Sequence, residues 1–119
     1  MDITGTNTNL LLRLLSAASM RNEVISNNIA NQNTPNYTRQ VVRFEDLLSQ
    51  RLARGSKNIE SITPQVEADT LTPASPDGNN VTPELELNSL RENRLLYEMY
   101  STILSGKMDL VRTSITGGR

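Results

Sequence analysis

The feature that most restricts the fold is a long amphipathic segment at the carboxyl end, from Thr82 to about Ile115. It opens with Thr82-Pro83-Glu84, which supply an N-cap, a residue suited to the first helical turn and an acid near the positive end of the helix dipole. It ends at Gly117-Gly118, where a helix is readily terminated. The segment predicts a helix of roughly 33 residues, about 50 Å long.

Apolar residues follow this predicted helix in two columns, each with a spacing of seven residues. One column contains Leu96, Ile103 and Leu110, and the other contains Leu90, Tyr97, Leu104 and Val111. Because the rest of the chain offers no globular body, so broad an apolar face is covered only by other helices. The pattern therefore predicts that this helix packs against several helical neighbours.

A second heptad pattern lies near the amino end and extends from Asn9 to about Asn31, with Asn7 or Thr8 available as its N-cap. Its columns are Leu11, Ala18 and Ile25 on one flank and Leu10, Ala17 and Val24 on the other, with Leu14 and Ile29 on the same face. An ordinary amphipathic core helix would show similar spacing. A heptad helix at each end of the chain favours a coiled coil instead.

The first helix is predicted to stop in an asparagine-rich turn. Asn31 suits the helix end because Asn tolerates the left-handed conformation used there. Thr34 precedes a proline and is therefore extended, Pro35 fixes the second position of a β-turn, and Asn36 supplies the positive φ that a type II turn requires next. Tyr37 leaves the turn with its ring free to pack back onto the helix.

The middle of the chain has weaker signals. Residues 41–48 favour a strand at Val41, Val42 and Phe44 but also one or two helical turns from Asp46, and both interpretations stay open. Residues 55–80 contain three of the five prolines and few apolar residues. Such a segment buries too little surface to offset its ordering entropy, so we expect a linker that is mobile in the monomer.

Composition excludes several classes of protein. The 119 residues contain no Cys and no His, so disulfides, the usual zinc sites and hydrolytic triads are ruled out, and no reactive constellation predicts an enzyme, a cofactor or a small-molecule substrate. A net charge of −1 gives no basic footprint for nucleic acid. The apolar run from Leu10 to Met20 is interrupted by Arg13 and lacks a basic start, so it predicts neither a signal peptide nor a membrane span.

The predicted fold is all-α, with the two terminal heptad helices paired as an antiparallel coiled coil and joined by an extended, largely irregular linker in which a short strand is an option. Three segments follow: residues 1–37 (helix and turn), 38–81 (arm and linker) and 82–119 (second helix). With 36% hydrophobic residues, three Tyr and one Phe, the chain has few large side chains to bury in a core, so we expect an unstable monomer. The surplus apolar surface predicts polymerisation, whereas a soluble helical-hairpin adaptor or export chaperone is the alternative.

The candidate assembly residues are those of the heptad columns. They are Leu11, Leu14, Ala18, Ile25, Ile29, Leu90, Leu96, Tyr97, Ile103, Leu104, Leu110 and Val111. The candidate turn residues are Asn31, Thr34, Pro35, Asn36 and Tyr37.

The turn carries a resemblance to a known family. The run Asn28-Ile29-Ala30-Asn31, followed by Thr34-Pro35 and Tyr37, closely resembles the amino-terminal signature of the flagellar axial proteins, in which Gly is usual where this chain has Asn36. Further similarity to the flagellar basal-body rod proteins lies in residues 77–81, 88–91 with Leu96 and Tyr97, and 104–107. The short chain most resembles a proximal rod subunit, and another rod subunit of the same family is the alternative.

The resemblance implies a structural role. In that family the terminal helices pair to form the inner tube of the rod, which connects the MS ring to the distal rod and transmits torque. Such subunits leave the cell through the flagellar type III export apparatus without a cleaved signal peptide and assemble in the periplasm. The implied partners are copies of the chain itself, other rod subunits, the rod–MS-ring junction protein FliE and the MS-ring protein.

Overall fold

A computed structural model describes residues 6–55 and 59–117, and its principal extents are 68 × 29 × 15 Å. Within these ranges the regular elements are α1 (Thr6–Ala30), β1 (Gln40–Arg43), α2 (Glu45–Ala53), a 3-10 helix (Ile59–Ser61), β2 (Gln65–Ala68) and α3 (Pro83–Gly117). The two terminal helices therefore provide the long axis of the molecule. The strands and α2 form a small lobe beside them.

Helices α1 and α3 lie side by side with opposed chain directions. Near one end of the pair the Asn28 side chain contacts Glu86, and towards the other end Asn93 contacts the Ala18 carbonyl. From Ala18 to Asn28 the chain number rises along α1, while the residue contacted on α3 falls from Asn93 to Glu86. The two helices therefore have opposite directions. The apolar side chains that α1 buries belong to its two heptad columns: Leu11, Ala18 and Ile25, together with Ala17 and Val24.

The small lobe packs on the other side of α1. Phe44 is fully buried and forms a cluster with Ala17 and Ile62, and this cluster is bordered by Leu14, Leu47, Leu48 and Ile59. The small Ala17 leaves room for the Phe44 ring to approach the helix. One apolar cluster therefore lies between α1 and the lobe.

The strands form a two-stranded antiparallel sheet in which Val41 lies opposite Glu67 and Val42 lies opposite Val66. Phe44 separates β1 from α2, and its carbonyl accepts a hydrogen bond from the Leu48 amide at 2.8 Å. Glu45 and Asp46 in the first turn of α2 complement the helix dipole. Both interpretations of residues 41–48 are thus correct for different parts of the segment, since a strand is followed at once by a helix.

Two expectations need correction and one needs an addition. The fold is mostly helical but not all-α, because β1 and β2 pair. The linker at residues 55–80 is irregular over most of its described length, but it also contains a 3-10 helix and a strand, and Ile62 is only 5% exposed. Asn7 and Thr8 are not N-caps, because both lie inside α1. The predicted start of α3 is confirmed, with the Thr82 carbonyl accepting the first helical bond from Glu86 at 3.0 Å, whereas Gly118 lies outside the described residues.

The turn after α1 has the predicted backbone conformation. Asn36 has a φ of 60°, and it is the only residue other than glycine with a positive φ in the part of the chain that the structure describes. The Tyr37 amide donates to the Thr34 carbonyl at 3.3 Å, which closes a β-turn with Pro35 and Asn36 at its centre. The Tyr37 hydroxyl returns to α1 and lies 3.2 Å from Asn28 Oδ1.

Candidate assembly site

The contact between the two long helices is centred on polar residues of α3. Its buried residues are Glu86, Asn93 and Tyr100, which are spaced seven apart and which we call the polar seam. Side chains at this spacing share one face of a helix. The face of α3 that α1 covers is therefore a heptad column, but it is not one of the two apolar columns seen in the sequence.

At one end of the polar seam, Asn28 and Glu86 meet with their side chains almost fully inaccessible. Asn28 Nδ2 donates to the Gln40 carbonyl at 2.8 Å and to Glu86 Oε2 at 3.3 Å, while Asn28 Oδ1 accepts from the Gln40 amide at 2.9 Å. The Asn28 side chain thus bonds to both backbone groups of one strand residue, as a neighbouring strand would. A single buried asparagine therefore joins α1, β1 and α3.

Arg39 neutralises the buried carboxylate. Its Nε lies 2.6 Å from Glu86 Oε1, and its Nη1 lies 2.5 Å from Asp69 Oδ2. Burial alone would lower the pKa of Arg39, but the hydrogen bonds and charges of Glu86 and Asp69 raise it above its ordinary value. Removing one member of such a pair would leave an uncompensated buried charge, which typically costs about 3–5 kcal/mol.

A second polar contact connects three helices further along the seam. Arg21 forms a bidentate pair with Glu45, with Nη2 to Oε2 at 2.6 Å and Nη1 to Oε1 at 3.2 Å. The same Nη1 lies 3.2 Å from Asn93 Oδ1, and Asn93 Nδ2 donates to the Ala18 carbonyl at 2.7 Å. Because Glu45 begins α2, this cluster fixes the small lobe against the helix pair.

The turn after α1 is held by the loop that precedes α3, and we call this contact between residues 31–37 and 75–81 the turn clasp. Asn79 Nδ2 donates to the carbonyls of Asn31 and Thr34 at 2.9 and 2.8 Å, and the Asn36 amide donates to the Asp77 carbonyl at 2.9 Å. Gly78 has a φ of 84°. A Cβ on Gly78 would lie 2.2 Å from Asn36 Oδ1, so any other residue there would require the Asn36 side chain to move.

Asn80 completes the clasp at the end of the sheet. Its Oδ1 accepts from the Arg39 amide at 2.6 Å and its Nδ2 donates to the Asp69 carbonyl at 2.8 Å. The side-chain amide thereby bridges the two strands where they diverge. The two segments that resemble flagellar proteins in sequence, the first turn and the loop at residues 77–81, are consequently parts of one hydrogen-bonded structure.

The two apolar columns of α3 flank the polar seam. The column Leu96, Ile103 and Leu110 begins three residues after Asn93, and the column Leu90, Tyr97, Leu104 and Val111 begins four residues after Glu86. Offsets of three and four place the columns on opposite sides of the seam. Ile103 and Leu110 are 42% and 62% exposed, and Tyr97 is 45% exposed, so much of this apolar surface is uncovered in the subunit.

The predicted assembly residues therefore fall into three groups. Leu11, Ala18 and Ile25 are buried within the subunit; Leu14, Ile29, Leu90, Leu96, Leu104 and Val111 are half-buried; and Tyr97, Ile103 and Leu110 are exposed. Met99 and Leu95, both exposed, lie beside the first flank column. Of the turn residues, Asn31 and Tyr37 are half-buried and Thr34, Pro35 and Asn36 are exposed.

Sequence reasoning missed the polar seam. Glu86 lies in the first turn of α3, where the helix dipole alone would account for an acid, but it is buried against Arg39 and Asn28. The available signal was the sevenfold spacing of Glu86, Asn93 and Tyr100, which is the same as that of the apolar columns. A search restricted to apolar heptads passes over it.

Other kinds of site are not indicated. No group of three His, Cys, Asp or Glu side chains suited to a metal ion occurs within residues 6–55 and 59–117. Over the same ranges, no helix combines the length and apolar character needed to cross a membrane.

Comparison with known proteins shows which family the chain belongs to. The model of the family described as flagella basal body rod protein matches residues 15–38, the second half of α1 and its turn. The chain is 32% identical to the flagellar basal body rod protein FlgB of Bacillus subtilis (strain 168), in an alignment covering 88% of this chain and 89% of that protein. The chain belongs to the FlgB family of flagellar basal body rod proteins.

Other members of the FlgB family show comparable similarity. The protein of Borrelia hermsii is 33% identical, with 87% of this chain and 90% of that protein covered. The protein of Escherichia coli (strain K12) is 30% identical, with 79% and 81% covered. The chain is accordingly a structural subunit of the bacterial flagellar basal-body rod and not an enzyme.

Proposed function

We propose that this FlgB-family subunit polymerises through its paired terminal helices, which act as an antiparallel coiled coil and form the inner layer of the proximal rod. The observation that carries the proposal is the division of α3 between two kinds of surface. Its polar seam is used within the subunit, whereas the flank columns, with Tyr97, Ile103 and Leu110 exposed, are left partly uncovered. An uncovered apolar flank that follows a helix is suited to a neighbouring helix.

The division of α3 between the polar seam and the flank columns would let it contact α1 within the subunit and other helices between subunits. Residues 112–117 at the end of α3 are all exposed, and Ile115 among them is 75% exposed. The last turns of α3 therefore have apolar surface that the described part of the subunit does not cover. In a rod, the helices of adjacent subunits would cover this surface and the flank columns together.

The wider role follows from membership of the FlgB family. A proximal rod built from this subunit would connect the MS ring to the distal rod and transmit torque. Its partners would be further copies of the chain, other rod subunits, the MS-ring protein and the junction protein FliE. The subunit would reach the periplasm through the flagellar type III export apparatus without a cleaved signal peptide, and the limited apolar core between α1 and the lobe suits passage as an unfolded chain.

The test is a charge placed on the flank column. Leu110→Asp introduces a carboxylate at a position that is 62% exposed in the subunit, so the isolated fold should tolerate it. Between subunits the buried, unpaired carboxylate would cost several kcal/mol at every copy. We expect the variant to be exported while basal bodies fail to form, as measured by secreted subunit and by electron microscopy of basal bodies.

Ser105→Asp is the matched control. Ser105 is exposed and lies five residues from Leu110, which places it about 140° away around the helix. The control should assemble normally, since its carboxylate would stay in water. Normal basal bodies in the Leu110→Asp strain would show that the flank column is not an assembly surface.

A further inference from the structure

The turn clasp contains one pair of residues that can react with each other. Asp77 is followed by Gly78, and this is the only position in the 119 residues where Asp or Asn precedes glycine. Glycine has no side chain to hinder the approach of its backbone amide to the preceding carboxyl. The other aspartates are all followed by bulkier residues, which are Ile3, Leu47, Thr70 and Leu110. The sequence therefore makes Asp77 the aspartate most prone to forming a succinimide.

The reaction at such a pair needs no reagent other than water. The amide nitrogen of Gly78 bonds to Cγ of Asp77, and the amide hydrogen and the carboxyl hydroxyl leave together as water. Water then adds to one of the two carbonyls of the succinimide ring and breaks the bond from that carbonyl to nitrogen. Addition at the main-chain carbonyl of Asp77 gives isoaspartate, whose main chain passes through the side chain and is longer by one methylene.

The turn clasp holds each reacting group in a hydrogen bond. The Gly78 amide donates to the Ser75 carbonyl at 2.8 Å, and Asp77 Oδ1 accepts from the Asn79 amide at 3.1 Å. The Asp77 carbonyl accepts from the Asn36 amide at 2.9 Å. In a β-turn closed as this one is, ψ of the third residue is about 0°, and ring closure at Asp77 needs a rotation of about 120° from there. That rotation would break the bonds to Ser75 and Asn36, so the closed clasp opposes the reaction.

We propose that Asp77 is a site of spontaneous isoaspartate formation, reactive in the unfolded chain and protected once the turn clasp closes. In the unfolded chain residues 75–81 have no fixed turn, so the Gly78 amide reaches Cγ of Asp77 by ordinary bond rotation. The product would not close the clasp, since the added methylene displaces the Asp77 carbonyl from the Asn36 amide. Chains that stay unfolded therefore lose the ability to fold with time. The inference depends on the clasp and not on which surfaces join the subunits.

Mass spectrometry measures the reaction at every aspartate of the same chain. The full chain is aged in guanidinium chloride at neutral pH, and electron-transfer fragmentation then distinguishes isoaspartate from aspartate of the same mass. We expect isoaspartate at Asp77 in excess of that at the internal references Asp46, Asp69 and Asp109. In intact basal bodies aged in the same way without denaturant, its formation should be at least about tenfold slower, because the clasp must first open. No excess at Asp77 would overturn the site, and equal rates in denaturant and in basal bodies would overturn the protection.

The variant Asp77→Glu tests the consequence for folding. Glutamate keeps a carboxylate at position 77 but has to close a larger ring, which forms much more slowly. Each protein is aged in guanidinium chloride and transferred to trimethylamine oxide, and its helicity is compared with that of an unaged sample of the same protein. We expect the wild-type chain to lose recovered helicity in proportion to its isoaspartate content, whereas Asp77→Glu keeps its own value. Full recovery of isomerised wild-type chain, or an equal loss in Asp77→Glu, would contradict the proposal.

Discussion

Replacing Gly78 by alanine tests whether the turn clasp holds the two ends of the chain together. The backbone of Gly78 has a φ of 84°, and a residue with a Cβ in that region costs about 1–2 kcal/mol. The added Cβ would also lie 2.2 Å from Asn36 Oδ1 and 3.1 Å from Asn36 Cα. Moving the Asn36 side chain off its rotamer costs about 0.5–1.5 kcal/mol more.

Together these costs predict that Gly78→Ala lowers the free energy of unfolding by about 2–3 kcal/mol. A loss of about 2 kcal/mol alone reduces the ratio of folded to unfolded chain about 30-fold. Because the isolated chain is expected to have low helicity, the loss should be measured by circular dichroism in trimethylamine oxide, and in cells as reduced motility. Trimethylamine oxide, which favours compact states, would allow a full unfolding curve to be recorded.

A second substitution separates the clash from the backbone effect. Asn36→Gly removes the side-chain atoms nearest to the new Cβ and suits a φ of 60°. We expect the double variant Gly78→Ala with Asn36→Gly to be more stable than the sum of the single effects by about 1 kcal/mol. Additive effects would refute the assigned contact between the two turns, and a Gly78→Ala protein as stable as wild type would refute the clasp itself.

Three further predictions concern the turn, the ion pairs and the isolated chain. Asn36→Val should impair assembly because a β-branched residue is strained at a φ of 60°, whereas Asn36→Gly should not, and motility assays distinguish the two. The Thr72 hydroxyl and the Arg39 guanidinium lower the pKa of Asp69 below its ordinary value of 3.8. The ionised form is therefore favoured in the folded state, so its contribution is complete above about pH 5 and is lost on further acidification, and acid unfolding curves of Asp69→Asn should have a shallower slope there. The isolated chain should show low helicity and no sharp thermal transition, and a cooperative transition from a monodisperse helical monomer would contradict this.

Some of the fold could be predicted because the signals are local. Thr82 and Pro83 predict the start of α3, and Pro35 and Asn36 predict the turn after α1, because each of these residue types favours particular backbone angles. The pairing of β2 with β1 could not be predicted in this way. Gln65-Val66-Glu67-Ala68 has little strand propensity of its own, and its partner lies more than twenty residues earlier in the chain.

The buried contacts of the candidate site were missed for a related reason. Asn28, Arg39 and Glu86 each have an unremarkable place in the sequence, and only the fold brings them within hydrogen-bonding distance. Their burial is tolerated because their polar groups form hydrogen bonds and an ion pair with one another. Of these residues, only Glu86 belongs to a repeat in the sequence, the polar seam. That repeat is found only when polar residues are included in the search for heptads.

The polar seam has a consequence for register that an apolar seam would not have. Columns of leucine-like residues accept a shift of seven positions with little change in contact, because the shifted residues are also apolar. A shift of seven along α3 would instead place Asn93 beside Arg39 and break the buried ion pair between Arg39 and Glu86. The polar seam therefore fixes how α1 and α3 pair within one subunit. In the proposed assembly, the exposed residues of the apolar flank columns would contact neighbouring subunits, and the geometry of the assembly itself would restrict the register there.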